Sequence, residues 1–226
     1  MNFAGSPAEW DDFFSSNFIP DIVELVLLSW AAMPKPAADQ LEDKITIALY
    51  CALSRNQYLC TLPFLIRVQD VEVDVELERE TGRKDIAFFP ALRSDIYFCL
   101  ECKRLNVVED GETRAYASEY VRQGMVRFVS RQYSPFVKHG GMLGYVLDGD
   151  IIRAIKNVER NILARHAELG MAPPGALLRS SIRPDIDRIR ETHHRREGEA
   201  SSFCIHHLFV AGEPLLARDR EVAAGC

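Results

Sequence analysis

Residues 82–90 read GRKDIAFFP and residues 96–105 read IYFCLECKRL. Both segments carry apolar residues at successive positions, which is typical of strands that are covered on both faces of a sheet. A hairpin whose loop is centred on Arg93 would pair residues whose numbers sum to 186, so that Asp85 faces Glu101. The Cβ atoms of directly opposed residues lie about 4.5–5.5 Å apart. The two segments therefore predict a pair of neighbouring carboxylates inside an apolar sheet.

Two carboxylates this close repel each other unless a proton or a cation lies between them. Mg²⁺ accepts oxygen ligands from one or two carboxylates and keeps several waters, so it suits the pair Asp85 and Glu101. Lys103 is two residues beyond Glu101, and the strand period of two places both side chains on one face. An ammonium there can orient a water for attack on a phosphodiester. The same spacing in a charged strand is also compatible with a plain salt-bridged edge.

This arrangement of aspartate, glutamate and lysine resembles the active site of the PD-(D/E)XK nuclease superfamily, which has the restriction-endonuclease-like fold. Asp85 matches the metal-binding aspartate of that family, Glu101 its variable acid and Lys103 its lysine. The resemblance implies two further metal ligands. These are the backbone carbonyl of Cys102 and the acid on the helix that precedes the sheet, Glu42.

The resemblance extends to the helix after the lysine strand, where many family members carry glutamine or tyrosine and this chain has Gln123. One residue departs from the pattern, since Lys84 precedes Asp85 where the family name has a proline. The similarity covers residues 41–128. It implies an endonuclease that uses Mg²⁺, or Mn²⁺ as a substitute, on nucleic acid, with DNA expected in preference to RNA. By the same analogy its role would be in phage defence, restriction or DNA repair.

The flanking segments predict an α/β fold. Apolar spacing favours helices over residues 20–33 and 38–54, the second capped by Asp39, and alternation favours a half-exposed strand over residues 71–78. Further elements are expected as a helix over 115–132, a strand over 141–147, a helix over 151–169 capped by Asp148 or Asp150, and a hairpin of 188–194 with 203–210. This order predicts a three-layer sandwich with a central mixed β-sheet flanked by helices.

We expect one domain over residues 1–226. Its parts would be N-terminal helices within 1–55, a catalytic core at about 70–170 and a C-terminal strand hairpin extension at about 185–212. No apolar run reaches the roughly 18 residues of a membrane span, and the first eleven residues lack the pattern of a secretory signal. Six cysteines in mostly apolar surroundings are typical of reduced thiols. A cytoplasmic location is therefore expected.

The charge distribution bears on a nucleic-acid partner. The net charge of −6 argues against binding by net charge alone, yet residues 1–113 carry −10 and residues 114–226 carry +4. The helix over 115–132 is expected to present Tyr116, Tyr120, Gln123 and Arg127 on one face. Phosphate contacts are predicted at Arg104, Arg122, Arg127, Arg131 and Lys138. Unevenly distributed surface charge would explain the same counts.

Two other groups of metal-ligating residue types stand out. Cys99 and Cys102 have CxxC spacing, but residues three apart on a strand point to opposite faces, so we interpret them as packing residues. The sequence Cys204-x-His206-His207 and the pair His193-His194 could form a Cys/His metal site or a general base if their strands adjoin. Partly exposed strand histidines are the alternative.

The first functional hypothesis is a metal-dependent endonuclease. The second is an interaction or nucleic-acid-binding protein that keeps the nuclease fold with little activity of its own, since an acidic chain would need a protein partner or a homodimer to hold its substrate. A structural metal or phosphate-binding module without turnover is the third.

Overall fold

The chain folds around a seven-stranded mixed sheet in a computed structural model that describes residues 18–74, 78–90, 96–199 and 201–212. The described residues form nine strands, seven in this sheet and two in a separate pair. They are β1 (Phe64–Asp74), β2 (Arg79–Pro90), β3 (Phe98–Leu105), β4 (Val107–Glu109), β5 (Glu112–Arg114), β6 (His139–Val146), β7 (Leu178–Arg179), β8 (Ile189–Arg195) and β9 (Ser202–Ala211). The sheet has the order β1-β2-β3-β6-β9-β8-β7, and β4 pairs with β5 separately.

Helices cover both faces of this sheet. They are α1 (Phe18–Ala32), α2 (Glu42–Arg55), α3 (Ala117–Glu119), α4 (Val126–Val129) and α5 (Ile151–Arg165), with a 3₁₀ turn at Gln57–Thr61 and a π-helix at Tyr120–Met125. Apolar residues of α1 and α2 pack in one core with Phe88, Leu100 and Tyr145. The π-helix and α5 pack in a second core with Ala87 and Phe209. The α/β class is confirmed, and the two cores are compatible with the expected three layers.

Most of the strongly periodic segments form the expected elements. The helix predicted over residues 20–33 is α1, and α5 begins after Asp150, whose side chain accepts a hydrogen bond from the backbone of Arg153. The prediction that Asp39 caps the second helix is wrong. A turn over residues 37–40, in which the Gln40 side chain accepts from Ala37, delays the start of α2 to Glu42.

The strand predicted from Val71 begins seven residues earlier, at Phe64, because it pairs with β2 along most of its length. Residues 75–77 of the predicted segment, and the predicted loop around Arg93, lie outside the described residues. The ladder pairs Val68 with Ile86 and then Asp70 with Lys84. Between those pairs Gln69 has a left-handed φ of 51°, which distorts the strand opposite Asp85.

The centre of the sheet combines local and long-range pairing. β2 and β3 pair as Ile86–Leu100, Ala87–Cys99 and Phe88–Phe98, so the register predicted from the sequence is confirmed over these three pairs. The predicted pair Asp85–Glu101 would be the next one, and it lies beyond the end of this ladder. β3 then runs parallel to β6, and β6 runs parallel to β9. The predicted C-terminal hairpin forms as β8 and β9, but β9 lies inside the sheet next to β6. Sequence patterns gave no indication of this parallel pairing.

The segment predicted as one helix over residues 115–132 is a short α-helix, a π-helix and a second short α-helix. The predicted polar face is wrong at Tyr120, which is fully buried and stacks on His207 and Phe209. The wider π turn changes which side chains share a face, so Tyr120 and Val121 are both buried while Gln123 is exposed.

Cys99 and Cys102 pack in different cores, so the prediction that they face opposite sides of the sheet is confirmed. No helix within the described ranges is long and apolar enough to span a membrane.

Arg196 supports the fold in a way that can be tested. Its buried guanidinium lies over the ring of Phe203 and donates to the backbone carbonyls of Tyr133, Ser134 and Val137. Arg196→Met would leave these carbonyls without their donor, and we expect a loss of about 3 kcal/mol in the free energy of unfolding. Urea denaturation measures it. The exposed neighbour Arg195 provides the control, and an equal loss in Arg195→Met would contradict the assignment.

Candidate active site

The candidate site lies where β2 and β3 separate. Their ladder ends at the pair Ile86–Leu100, whereas β3 continues to Leu105 beside β6. The backbone N–H of Cys102 donates to Asp85 Oδ2 at 2.7 Å, and that of Arg104 donates to Glu42 Oε2 at 2.9 Å. Two carboxylates thus bind the β3 amides beyond the end of the β2–β3 ladder. One comes from β2, opposite the distortion of β1 at Gln69, and the other from the first turn of α2.

Glu101 and Lys103 contact each other on the same face of β3, which confirms the prediction from the strand period. The ammonium Nζ of Lys103 is 2.7 Å from Glu101 Oε1 and 3.1 Å from Glu42 Oε1. It also donates to the carbonyl of Cys102 at 2.8 Å. The ammonium therefore contacts oxygen atoms of Glu42, Glu101 and Cys102, three of the four residues predicted to bind a metal.

Arg127 also contacts Glu101, at the same oxygen, Oε1, that Lys103 contacts. Its Nη1 atom is 2.8 Å from Glu101 Oε1 and 3.0 Å from the hydroxyl of Tyr133, which in turn donates to the carbonyl of Arg83. Gly124 lies above Glu101, and a Cβ atom there would come within 2.4 Å of Met142 Cε. The end of the Met142 side chain fills the space that a side chain at Gly124 would need. No sequence pattern predicted the contact between Arg127 and Glu101.

Burial and mutual repulsion set the charges of the acids. Burial raises the pKa of Asp85 to about 6, against the lowering effect of Lys103 and the hydrogen bond from Cys102. Burial and the neighbouring charge of Asp85 raise the pKa of Glu101 to about 8, although Lys103 and Arg127 oppose this shift. The pKa of Lys103 is raised because the attraction of Glu101 and Glu42 outweighs its burial. Burial and the mutual repulsion of the two acids therefore disfavour their ionised forms.

A hard divalent cation fits these residues. Glu101 Oε2 is buried and has no hydrogen-bond partner, so one carboxylate oxygen is left to accept a cation. The candidate ligands are carboxylate oxygens and a backbone carbonyl, the atoms that Mg²⁺ prefers. Among the described residues, one group has three ligand atoms that already lie within 4.8 Å of one another. That group is His139, Cys204 and His206, and it does not include the acids. The acids are thus not a preformed three-ligand cluster, and Lys103 lies between two of them.

The other predicted site residues are placed differently. Gln123 is exposed and lines a surface depression with Ser118, Glu119 and Arg122. Arg104 points toward the carbonyls of Asp39 and Gln40, where it joins β3 to the start of α2. Of the predicted phosphate contacts, Arg122 and Arg131 are exposed, Arg131 beside Glu199, and Lys138 is half-buried just before β6. The structure brings together Glu42, Asp85, Glu101, Cys102, Lys103 and Arg127.

The histidines form a second polar group. The alternative of partly exposed strand histidines is wrong for His194, His206 and His207, which are buried, and it holds only for His193. Thr192 Oγ1 lies 2.7 Å from His194 Nε2 and 2.8 Å from His207 Nε2. Burial lowers the pKa of His194 from 6.5 to about 4 and the pKa of His206 to about 3. Burial therefore favours the neutral form of both imidazoles.

His194 makes stability depend on pH. The folded state keeps this ring neutral down to about pH 4, whereas the unfolded chain takes up a proton near pH 6.5, so stability falls as pH falls through this window. We expect His194 to contribute about 2 kcal/mol of loss between pH 7 and pH 5. Denaturation at both pH values should show a shallower dependence in His194→Gln. The exposed His193 provides the control, and an equally shallow dependence in His193→Gln would contradict the role of His194.

Comparison of the chain with models of known protein families, with curated proteins and with solved structures found no match. Function is therefore inferred from the geometry of the residues.

Proposed function

We propose that this protein is a Mg²⁺-dependent endonuclease with a restriction-endonuclease-like fold, which hydrolyses phosphodiester bonds of nucleic acid. The observation that supports it most is the pair of acids beside Lys103, the buried Glu101 and the half-buried Asp85, at the point where β2 and β3 separate. Burying two acids together raises the free energy of their ionised forms, and the orphaned Oε2 of Glu101 leaves room for a cation to offset it.

Each residue then has a role. Glu42, Asp85, Glu101 and the carbonyl of Cys102 would hold Mg²⁺ or Mn²⁺. When bound, the cation would supply positive charge that stabilises the phosphate oxygens as they gain negative charge. Lys103 would leave the oxygens it now contacts, orient the attacking water and balance charge in the transition state.

Arg127 would hold Glu101 in place rather than bind phosphate, because its guanidinium already contacts that carboxylate. Phosphate binding would fall to the exposed residues Arg122 and Arg131 and to Lys138. Such contacts fix the position of a nucleic acid without reading its sequence. DNA in phage defence, restriction or repair remains the expected setting.

One observation favours the second candidate, an interaction or nucleic-acid-binding protein with the same fold but little activity. Lys103 and Arg127 already contact Glu101, so the acids form an ion cluster that could serve stability alone. The two candidates differ in what removal of Asp85 does, since a structural cluster would lose stability and a catalytic site would lose cleavage.

The direct test incubates the purified full chain with supercoiled plasmid, linear duplex DNA, single-stranded DNA and RNA, each with Mg²⁺, with Mn²⁺ and with a chelator. Cleavage of at least one substrate that depends on the added cation would support the nuclease. Retention of nucleic acid without any cleavage under all these conditions would favour the second candidate instead.

A further inference from the structure

The strongest unassigned feature lies at the beginnings of β6 and β9. His139 and Cys204 are partners in the parallel register of these strands, and His206 is two residues beyond Cys204. The strand period therefore places Cys204 and His206 on one face, next to His139. One ligand atom from each of the three residues lies within 4.8 Å of the others.

The separations suit a tetrahedral ion. Nδ1 of His139 is 3.2 Å from Nε2 of His206, and the two rings stack with centroids 5.3 Å apart. Two nitrogens bound to one Zn²⁺ at its usual bond length lie about 3.3–3.4 Å from each other in a tetrahedron. The distance between the two imidazoles is therefore close to the spacing that such an ion needs.

Burial describes the setting of these ligands. His206 is 1% exposed; its Nε2 atom faces His139, while its other ring nitrogen, Nδ1, is buried without a hydrogen-bond partner. Cys204 is 6% exposed, while His139 is partly exposed and provides a route from solvent. Glu191 lies opposite His206 in the β8–β9 ladder, and its carboxylate contacts His193 and Ser181. An acidic side chain thus lies close to the group of nitrogen and sulfur ligands.

We propose that His139, Cys204 and His206 bind one transition-metal ion of the zinc class, with the fourth coordination position open to water or another small ligand. Imidazole and thiolate ligands select this class over Mg²⁺, which prefers oxygen. The site is separate from the acid pair. His139 precedes Met142, the β6 partner of Glu101, by three residues, or about 10 Å along the strand. The ion would join β6 to β9 and stabilise their parallel pairing.

Cobalt provides the test, because Co²⁺ replaces Zn²⁺ and reports its ligands spectroscopically. The full chain, reduced and stripped of metal with a chelator, is titrated with Co²⁺ alone. We expect one equivalent to give a thiolate-to-cobalt charge-transfer band and visible bands of tetrahedral intensity, and Zn²⁺ to displace them and raise the melting temperature. Absence of these bands would overturn the proposal, leaving a hydrogen bond between the two histidines as the reason for their contact.

Variants locate the ion. Cys204→Ser should remove the charge-transfer band, whereas the exposed thiol Cys60 provides the matched control and Cys60→Ser should keep it. Should Cys204→Ser fail to fold, His139→Gln tests the same site at a less buried position and should weaken Co²⁺ binding at least about a hundredfold. Asp85→Asn should leave the spectrum unchanged, so a failed nuclease proposal does not affect this test. A band that persists in Cys204→Ser, or Co²⁺ affinity unchanged in His139→Gln, would overturn the assignment.

Discussion

Asp85→Asn is expected to lower the rate of Mg²⁺-dependent cleavage more than about a thousandfold. A single transition-state contact contributes about a hundredfold to a thousandfold, and loss of the cation would remove more than one such contact. The asparagine side chain keeps an oxygen that can accept the hydrogen bond from the backbone of Cys102. Burial raises the pKa of Asp85, so its charge costs free energy in the folded protein. Without metal, the variant should therefore melt at the same temperature as the parent or higher.

Asp70 provides the matched control. It is also an aspartate on the sheet, but its carboxylate pairs with Lys84 at 3.0 Å, outside the candidate site. Asp70→Asn should lower the melting temperature while its folded fraction cleaves at the parental rate. Calorimetric titration with Mg²⁺ and cleavage assays check both variants. Unchanged Mg²⁺ affinity in Asp85→Asn would exclude this site, and a lower melting temperature of that variant without metal would favour the structural ion cluster.

Lys103→Met should separate chemistry from binding. We expect the cleavage rate at saturating Mg²⁺ to fall at least about a hundredfold, because the variant lacks the ammonium that orients the attacking water. Mg²⁺ affinity should stay the same or increase, since the ammonium now occupies oxygens of Glu101, Glu42 and Cys102 that a cation would use. For the same reason Mg²⁺ should raise the melting temperature of this variant more than that of the parent.

Lys84 is the corresponding control because it is another buried strand lysine paired with a carboxylate. Lys84→Met should lose stability without gaining any additional stabilisation by Mg²⁺, and its folded fraction should cleave normally. Single-turnover cleavage at saturating enzyme separates rate from affinity. A Lys103→Met protein that cleaves at the parental rate would remove the catalytic role, and one that no longer binds Mg²⁺ would make Lys103 a supporting residue of the cation site.

Short-range sequence patterns predicted the strand pairing where the two paired strands also follow each other in the sequence. The hairpin of β2 and β3 has the predicted register over Ile86–Phe88, because few residues separate the two strands in the sequence and side chains alternate with a period of two. The contact between Glu101 and Lys103 was predictable for the same reason. The start of α2 was not, because a turn over residues 37–40 competes with the capping role of Asp39.

The sequence by itself determined which residues are candidates for the proposed chemistry: two acids and a lysine on adjacent apolar strands, with a cysteine and histidines on a later one. Only the tertiary structure decided what else joins them. Arg127 contacts Glu101 from the turn that follows the π-helix Tyr120–Met125. His139 lies beside Cys204 because β6 and β9 pair in parallel, although more than 60 residues separate the two in the sequence. Such contacts depend on packing between distant segments, and no local periodicity encodes them.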